Sequence, residues 1–285
     1  MIYNRQSRKY IKEKEYKEDI LKKLYGTKFG RILLKTVIAR PYFNKLVRLY
    51  KCSSISCKDI VPFIKKYKIR LKDYDLRNIR SFNDFFIRKR YISNNSKENE
   101  LVAIADAKLL MYNIDDDLKL NIKNSVYTLE EILGDSELAS KFNEGTCLVF
   151  RLTVDDYHRY HYLDNGCTML NYKIPGELHT VRPIASKYKV FSRNCREVTY
   201  MDTYNFGEVV QVEVGATLVG CIKNKNNIYF NKLEEKGHFE YGGSTILLIL
   251  NKDVMIDQDI VYHSKQGIET KVSIGDKIGY IERKN

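Results

Sequence analysis

Short apolar runs dominate the sequence after residue 100, and this pattern restricts the possible fold of the chain more than any other feature. Gly, Asn and Asp separate the runs, which is typical of strands joined by turns. One short helix is predicted among them, because Thr128 and Glu131 stand at capping-box spacing and Gly134 can end it. The pattern predicts a mostly antiparallel β body with strands in "LVAIADAKLLMYNI", "TCLVFRLTV", "TMLNYKI", "EVVQVEVGATLVGCI", "STILLIL" and "KVSIGDKIGYI".

Residues 1–90 have a helical pattern instead. The segment "KEKEYKEDILKKLYG" carries charge pairs at helical spacing and stops at Gly26. In the next segment, "GRILLKTVIARPYFNKLVRLYK", Pro41 is expected to kink or split a helix that has an apolar and aromatic face. Two further helix starts are predicted at 56–59 and 81–84, where a serine and an aspartate stand three residues apart.

A polar linker at 91–100 separates the two textures. The predicted fold class is therefore α+β, with a basic N-terminal helical region at 1–90 and a β-rich body at 91–285. The charge follows the same division. Residues 1–90 carry 26 Lys and Arg against 8 Asp and Glu, a net charge of +18, whereas 91–285 carries 23 against 28, a net charge of −5. Such an excess predicts a polyanionic partner, either nucleic acid or an anionic lipid surface.

Composition restricts the class of protein. With 44% apolar residues the chain can build a core, so disorder is not expected. No uncharged run approaches the roughly 20 residues of a membrane span. The N-terminal segment lacks the apolar core of a signal peptide, and we expect an intracellular protein, soluble or bound to a surface. The six cysteines form no C-x-x-C pair, which favours reduced thiols and no metal site.

Two of the five histidines, His158 and His161, lie three residues apart in "DDYHRYHYLDNG", directly after a predicted strand. The ends of strands present side chains to clefts, and two imidazoles there supply two groups that titrate near neutrality. The same pair could be structural histidines, or half of a metal site, although no further cluster at ligand spacing completes such a site.

The stretch "YGGSTILLIL" places two glycines and Ser244 at the start of a core strand. A serine hydroxyl can attack the preceding carbonyl in an N-to-O acyl shift when the peptide is strained and the approach is open, and Gly242 and Gly243 allow both. The attack needs a histidine as base and an acid to orient it, for which Asp106 is a candidate. The alternative is a β-bulge or tight turn that leads into a core strand.

Seven segments follow one another in a recognisable order: "SFNDFFIRK", "ADAKL", "RLTVDDYHRYH", "NCREV", "VEVGATLVGCI", "KGHFEYGGSTILLIL" and "SKQGIETKVSIGDKIG". In this order they resemble the signature blocks of phosphatidylserine decarboxylase proenzymes. The likeness runs from about residue 80 to the C-terminus. An ordered series is far more specific than any single block, and it favours cleavage chemistry over a simple turn at Gly243 and Ser244.

The resemblance implies a pyruvoyl enzyme that is made by self-cleavage. In the family, the serine attacks the preceding glycine carbonyl, the ester eliminates the N-terminal chain, and the remaining dehydroalanine hydrolyses to a pyruvoyl group and ammonia. Here the cut falls between Gly243 and Ser244 and yields a heterodimer of a β chain, 1–243, and an α chain, 244–285. The pyruvoyl group derived from Ser244 is the covalent cofactor. It forms a Schiff base with phosphatidylserine, and phosphatidylethanolamine and carbon dioxide are released.

Residue by residue, the resemblance assigns the self-cleavage triad to Asp106, His161 and Ser244, and proton transfer during decarboxylation to His158. The sequence departs from the family pattern in three places. "GGST" replaces L-G-S-T, Ala107 replaces the glycine after Asp106, and "YLDNG" replaces a proline-containing turn. None of these changes removes a reacting group, so they bear on the rate more than on the reaction.

The resemblance also implies a peripheral membrane enzyme, because acyl chains hold its substrate in a bilayer. An anionic membrane surface suits the cationic helices at 11–50, which places the protein on the cytoplasmic face of the cell membrane. No nucleic-acid partner is expected, since no reading module is recognisable, and a higher oligomer stays open. Two other functions remain: a non-catalytic basic β protein that binds lipid or nucleic acid, and a pyruvoyl decarboxylase for a soluble amino acid.

Overall fold

Helices form much of the N-terminal part of the chain, and strands form most of the rest. The computed structural model describes residues 1–12, 18–122, 125–181, 183–216, 221–241 and 244–282. A π-helical turn covers Leu34–Ile38, and 3₁₀ helices cover Ser54–Asp59 and Pro183–Tyr188. No helix in these ranges is long and apolar enough to cross a membrane. The α-helices are α1 (Glu18–Gly26), α2 (Lys28–Leu33), α3 (Pro41–Lys51), α4 (Ile60–Tyr67), α5 (Phe82–Phe86), α6 (Leu129–Leu133), α7 (Ser136–Ser140), α8 (Val190–Arg193) and α9 (Gln258–Lys265).

Local sequence signals set several helix ends as predicted. Pro41 is the first residue of α3 and separates it from the preceding helical turns. Ser81 caps α5 and Thr128 caps α6, because each side-chain oxygen accepts a backbone N–H three residues along the chain, both at 3.1 Å. Gly134 follows α6 with a φ of +70°, a left-handed conformation that favours glycine.

The predicted cap at 56–59 is wrong. Ser56 lies inside a 3₁₀ helix, where its hydroxyl is within hydrogen-bond distance of the carbonyl oxygens of Lys51 and Ser53, at 2.9 and 2.6 Å. The same hydroxyl accepts the backbone N–H of Phe82 at 2.9 Å. Ser56 therefore ties the start of α5 to the end of α3 instead of capping α4, which begins after Asp59.

The strands form one large sheet and three small ones, which confirms the α+β class. The large sheet has the order β13-β9-β10-β11-β15-β7-β4-β17-β1-β2, and the small ones are β12-β14-β8, β16-β18-β3 and β5-β6. The bounds are β1 (Ile2–Asn4), β2 (Lys9–Ile11), β3 (Glu100–Val102), β4 (Ala107–Asn113), β5 (Lys119–Ile122), β6 (Ser125–Thr128), β7 (Thr146–Leu152), β8 (Arg159–His161), β9 (Gly166–Ile174), β10 (Arg196–Thr203), β11 (Gly207–Val214), β12 (Ile222–Asn224), β13 (Tyr229–Phe230), β14 (Glu235–Phe239), β15 (Ser244–Leu250), β16 (Val254–Ile256), β17 (Glu269–Val272) and β18 (Lys277–Ile281).

The middle of the large sheet is buried on both faces. The strand β15 lies between β11 and β7, and all seven of its residues are buried. Ile246 and Leu248 pack into one apolar core, together with Ile260 of α9. Leu247 and Ile249 pack into a second core, together with α6. Like its neighbour β7, β15 is therefore enclosed on both faces and both edges.

Two strands at the N-terminus extend the other end of this sheet. The pairing of β1 with β17 is parallel, and β2 then pairs antiparallel with β1. Arg5, in the turn between them, binds Asp257 and Asp259, each at 2.7 Å. The sequence analysis predicts neither strand, because segments this short show no readable period. The N-terminal segment is thus part of the β body as well as the start of the helical region.

The helical region is attached to the body at several points, among them α1 and the π-helical turn that begins at Leu34. The Tyr25 hydroxyl lies 3.3 Å from Nδ1 of His179 and accepts the backbone N–H of Thr180 at 3.1 Å. Tyr25 and Leu34 are buried in the second core, beneath α6 and the sheet. Other apolar side chains of this region remain exposed: Phe29, Ile32, Tyr42, Leu46, Leu49, Ile55 and Val61.

Candidate active site

The predicted nucleophile, Ser244, is the first residue of β15. Its backbone pairs with Leu152 of β7, so a neighbouring strand fixes its position. The side chain is fully buried, and its Oγ has no hydrogen-bond partner among the described residues. An unsatisfied buried hydroxyl costs about 1–3 kcal/mol, so its presence requires a reason other than stability. Gly242 and Gly243, the two residues before the predicted cleavage site at Ser244, lie outside the described residues.

The chain that leads towards this site is held by α5. Tyr241 donates its backbone N–H to Oδ1 of Asn83 at 3.1 Å. Its ring packs edge-on against Phe82 and Phe86, with ring centroids 5.2 and 5.4 Å apart. The segment "SFNDFF" therefore forms an aromatic wall against Tyr241, which lies three residues before Ser244 in the chain.

His158 is fully buried against the same wall, with its ring centroid 4.0 Å from that of Phe86. Its Nδ1 lies 2.9 Å from the carbonyl oxygen of Asp156. Because a carbonyl can only accept, Nδ1 carries the proton and Nε2 keeps its lone pair. Nε2 has no partner within the described part of the chain. Burial lowers the pKa of His158 to about 4, so the ring is neutral and offers a free proton acceptor.

Asp156 is itself locked in place, which fixes the carbonyl that orients His158. Its carboxylate accepts a hydrogen bond from Nζ of Lys108 at 2.5 Å and one from the backbone N–H of Thr153 at 2.7 Å. Burial alone would raise the pKa of Asp156, but the attraction of Lys108 holds it below its usual range. The charged pair is buried, and it holds in place the residue whose carbonyl oxygen contacts His158.

His161 is the last residue of β8 and contacts a different part of the body. Its backbone N–H donates to the carbonyl oxygen of Ile104 at 2.9 Å, which places it beside the turn that carries Asp106. Burial lowers the pKa of His161 to about 4. Its Nδ1 has no hydrogen-bond partner among the residues described. His161 is therefore a second neutral imidazole with a free ring nitrogen.

Asp106 is held by an arginine. Arg90 binds both carboxylate oxygens, at 2.9 and 2.6 Å, and the backbone N–H of Ile274 donates to Oδ1 at 2.9 Å. Within the described ranges no hydrogen bond joins Asp106 to His161. The two are linked through Arg90 and Tyr157, whose ring centroid lies 4.6 Å from the guanidinium carbon and 6.4 Å from the centroid of the His161 ring.

The predicted site residues thus fall into two groups. His158 packs against the wall formed by α5 and Tyr241, whereas His161 binds the carbonyl oxygen of Ile104, two residues before Asp106. Among the described residues, no hydrogen bond joins the Ser244 hydroxyl to either histidine. The sequence analysis did not single out three further charged residues that the structure places around these groups. The segments "FFIRKR" and "ADAKL" show their charges, but a sequence does not show that a cation is buried. These residues are Arg88, Arg90 and Lys108.

A buried serine hydroxyl, two neutral imidazoles with free ring nitrogens and a carboxylate held by arginine define a candidate enzyme active site in an α+β fold. Within the described ranges, no three His, Cys, Asp or Glu side chains form a group that could hold a metal ion. The groups that are present fit nucleophilic attack by a hydroxyl and proton transfer by histidine.

Comparison with known proteins assigns the family. The family model described as phosphatidylserine decarboxylase matches residues 82–280. Phosphatidylserine decarboxylase proenzyme 2 of Clostridium acetobutylicum is 49% identical over 98% of this chain and 97% of its own length. The phosphatidylserine decarboxylase proenzymes of Clostridium novyi and Clostridium kluyveri are 40% and 39% identical, over 98% and 97% of both chains. This chain therefore belongs to the phosphatidylserine decarboxylase family, which confirms the predicted resemblance and supports a decarboxylase.

Proposed function

We propose that this chain is a proenzyme that cleaves itself between Gly243 and Ser244 and then converts phosphatidylserine to phosphatidylethanolamine and carbon dioxide. One observation carries the proposal. The Ser244 hydroxyl is buried and has no partner in the described part of the chain, directly after two glycines and at the start of a fully buried strand. A tight turn into a strand has no need of such a hydroxyl, whereas a nucleophile does.

In the cleavage step, Oγ of Ser244 attacks the carbonyl carbon of Gly243, and His161 takes the hydroxyl proton. Return of that proton to the leaving nitrogen gives an ester. Loss of the Cα proton of residue 244 then expels the 1–243 chain as a carboxylate, and water converts the dehydroalanine into a pyruvoyl group and ammonia. The lowered pKa of His161, about 4, supports this role because the ring is unprotonated at neutral pH.

Asp106 is the proposed acid of the triad. Since Arg90 and Ile274 hold its oxygens, its influence on His161 passes through the Arg90 guanidinium and the Tyr157 ring unless Arg90 releases one oxygen. Only release of one oxygen by Arg90 would present the Asp106 charge to the imidazole that becomes protonated during cleavage. While Arg90 stays bound, its guanidinium charge lowers the pKa of His161. Arg90 is therefore expected to tune the triad as well as Asp106.

In turnover, the pyruvoyl ketone supplies a centre that condenses with the substrate amine and accepts the electron pair released with carbon dioxide. His158 handles the proton. Its Nε2 accepts the proton that the substrate ammonium loses before it can react, and the same proton returns to the substrate carbon after carbon dioxide leaves. The contact between Nδ1 and the Asp156 carbonyl keeps Nε2 free for this exchange.

The two products of cleavage would remain together as a heterodimer. In the α chain, 244–285, β15 pairs with β11 and β7, β17 pairs with β4, and β18 pairs with β3. The buried apolar residues of β15 contribute to both cores of the sheet. Cutting one peptide bond removes none of these contacts, so the α chain stays in the sheet without a covalent link.

The helical region is the proposed membrane-binding surface. Its exposed apolar side chains lie on α2, α3, the 3₁₀ helix that follows and α4, within the part of the chain whose net charge is +18. An apolar face flanked by cations suits the interface of an anionic bilayer, where each basic residue contributes about 1 kcal/mol. We therefore place the protein peripherally on the cytoplasmic face of the cell membrane, where its substrate is held.

Two measurements test this function. Denaturing mass spectrometry of the purified protein should show two chains, the lighter starting at position 244 and lacking a free amine. Carbon dioxide release should then be seen with phosphatidylserine and not with free serine or aspartate. An uncleaved chain would favour a non-catalytic lipid-binding protein, whereas cleavage with turnover of free serine would favour a decarboxylase for a soluble amino acid.

A further inference from the structure

A cavity of about 280 Å³ lies beside α5, outside the residues assigned to the reaction above. Its lining contains more cations than carboxylates, so the cavity favours an anion. Some of these charges already neutralise each other: Arg77 binds Asp75 at 2.8 Å, and Arg159 binds Glu235 at 2.8 Å. The charged side chains of the lining are Arg77, Arg88, Lys89, Arg159, Asp75 and Asp84.

Arg88 differs from the other cations of the cavity because it is buried and forms no ion pair with any residue that the structure describes. Only 2% of its surface is exposed. Its Nη1 makes long hydrogen bonds to the carbonyl oxygens of Phe85 and Phe86, at 3.3 and 3.5 Å. Its Nε and Nη2 have no partner among the described residues. Two N–H donors of a buried cation are thus left unused.

Aromatic rings hold the Arg88 guanidinium in place. Its central carbon lies 4.3 Å from the ring centroid of Tyr74 and 5.1 Å from that of Phe85. Such contacts restrain the faces of the planar group and leave its edge for hydrogen bonding. Arg77 and Arg88 line the same cavity, and the Arg77 side chain is 85% exposed, so this cavity connects Arg88 with the solvent.

The chemistry of the missing partner follows from the arginine. A buried charge is costly unless it is paired and hydrogen-bonded, and a guanidinium edge matches two oxygens of a phosphate or a carboxylate. The cavity is also close to the reacting groups. Phe86, two residues before Arg88, stacks at 4.0 Å from His158, and the Arg88 charge adds to burial in lowering the pKa of His158.

We propose that Arg88 binds the phosphodiester of the substrate headgroup through its free Nε and Nη2 atoms; this assignment rests on the proposed decarboxylase function. The alternative anion in the substrate is the carboxylate that leaves as carbon dioxide. An arginine on that carboxylate would stabilise the ground state and lose its partner in the transition state, which slows the reaction. The phosphodiester keeps its charge throughout turnover, so a fixed cation can hold it without opposing the chemical step.

The test uses the purified, self-cleaved enzyme and phosphatidylserine in mixed detergent micelles. Arg88→Gln should raise KM about 10- to 100-fold and leave kcat within a few-fold, because a charge-assisted contact to a group that does not react is lost. Arg88→Lys keeps the charge but not the planar fork, and should raise KM less. Lys119→Gln, which removes an exposed charge on β5, is the matched control and should behave as the wild type.

Inhibitors separate the two anions and their sources. Glycerophosphoethanolamine carries the phosphodiester without a carboxylate, and it should inhibit the wild type at least tenfold more strongly than Arg88→Gln. Equal inhibition of both enzymes would place the carboxylate on Arg88 and overturn the proposal. Inorganic phosphate that binds the wild type and not Arg88→Gln, while the KM for lipid is unchanged, would define a free-phosphate site and overturn it too.

The outcomes also separate this inference from the proposed function. A wild-type enzyme that releases no carbon dioxide from phosphatidylserine overturns the function itself. An active wild type with an unchanged KM in Arg88→Gln overturns only the role of Arg88. If Arg88→Gln does not fold or cleave, Arg88→Lys decides, and an unchanged KM in that variant contradicts the bidentate contact.

Discussion

The N-terminal helices and the central sheet use similar apolar side chains in opposite ways. In α3, Tyr42, Leu46 and Leu49 are 55%, 64% and 59% exposed, whereas every residue of β15 is buried. The sheet gives β15 a partner strand on each edge and an apolar core on each face. Among the described residues, no element covers the exposed apolar side chains of α3 in this way. Hydrophobic content alone therefore does not distinguish a core segment from a docking surface.

Charge shows the same contrast. The helical region carries most of the cations of the chain, and several of them lie on its surface. In the β body, some buried cations are paired with carboxylates, as in Lys236–Glu213 at 2.8 Å and Lys108–Asp156 at 2.5 Å. Others, such as Arg196 and Lys232, donate to backbone carbonyl oxygens. The body thus uses buried charge to orient groups inside the protein, whereas many cations of the helical region face outward.

The largest expected effect tests the chemistry assigned to the sheet. Ser244→Ala should abolish cleavage and decarboxylation together, because it removes both the nucleophile and the atoms that become the pyruvoyl group. Thr245→Val is the matched control, since it removes the next buried hydroxyl, which also lacks a partner in the described residues, and should leave cleavage intact. Mass spectrometry and carbon dioxide release measure both. Cleavage at the usual position in Ser244→Ala would refute the mechanism.

The next effect compares one leucine from each region in the uncleaved Ser244→Ala background. Leu248→Ala in β15 should lower the free energy of unfolding by about 2–5 kcal/mol, because it leaves a cavity in a core closed on all sides. Leu46→Ala in α3 should change it by less than about 0.5 kcal/mol. Urea unfolding measures both values. Equal costs would mean that α3 is packed as tightly as the sheet.

Acid should weaken the β body. In the folded chain burial lowers the pKa of His158 and His161 from 6.5 to about 4. The unfolded chain therefore binds more protons between these two pH values, so the stability present above pH 6.5 falls as the pH drops towards 4. The loss is up to about 3 kcal/mol for a fully buried histidine. Residues 1–157 contain no histidine, so the N-terminal helices add no histidine titration to this effect.

Urea unfolding of the uncleaved Ser244→Ala protein at several pH values between 4 and 7 measures this acid sensitivity. His158→Gln in the same background should flatten the pH dependence over that range, because one buried titrating group is gone. A dependence that stays unchanged in this variant would show that other groups cause the acid loss.

The smallest expected effect concerns the membrane surface. Replacing Leu46 and Leu49 with serine should weaken binding to vesicles of anionic phospholipid about tenfold, because less apolar surface enters the interface. Leu170→Ser, at a 45% exposed position on β9, is the control and should not weaken binding. Vesicle flotation measures the bound fraction, and added salt should reduce it further. Loss of vesicle binding in the Leu170→Ser control alone would show that the membrane-binding surface lies on the β body instead.

Much of the fold could be predicted because its signals are local. The break at Pro41, the caps at Ser81 and Thr128, and the strand "STILLIL" each depend on residues within one turn or one strand. The cap at 56–59 failed because the Ser56 hydroxyl binds Phe82, a residue 26 positions away. Spacing that suits a cap does not show which distant group will compete for the hydroxyl.

The site could be predicted only in part. The "YGGST" stretch and the two histidines indicated which residues we propose to react, because a hydroxyl and two imidazoles can be recognised from residue type alone. The partners of those groups could not be read in the same way. Asp106 is bound by Arg90 and by Ile274, which lies 168 residues further along the chain, and Lys108 reaches Asp156 across 48 residues.

The sequence by itself determined the α+β class, the division into a mainly helical first part and a β-rich remainder, and which residue types were available for hydroxyl attack and proton transfer. These depend on periodicity, capping residues and side-chain chemistry, all of which act over a few neighbouring positions. Only the tertiary structure decided which apolar side chains stay exposed, which carboxylate each cation meets, and that Arg88 is buried with two unused donors. Burial and pairing are decided by segments that meet only after the chain has folded, and the free energy of a charge depends on that final environment.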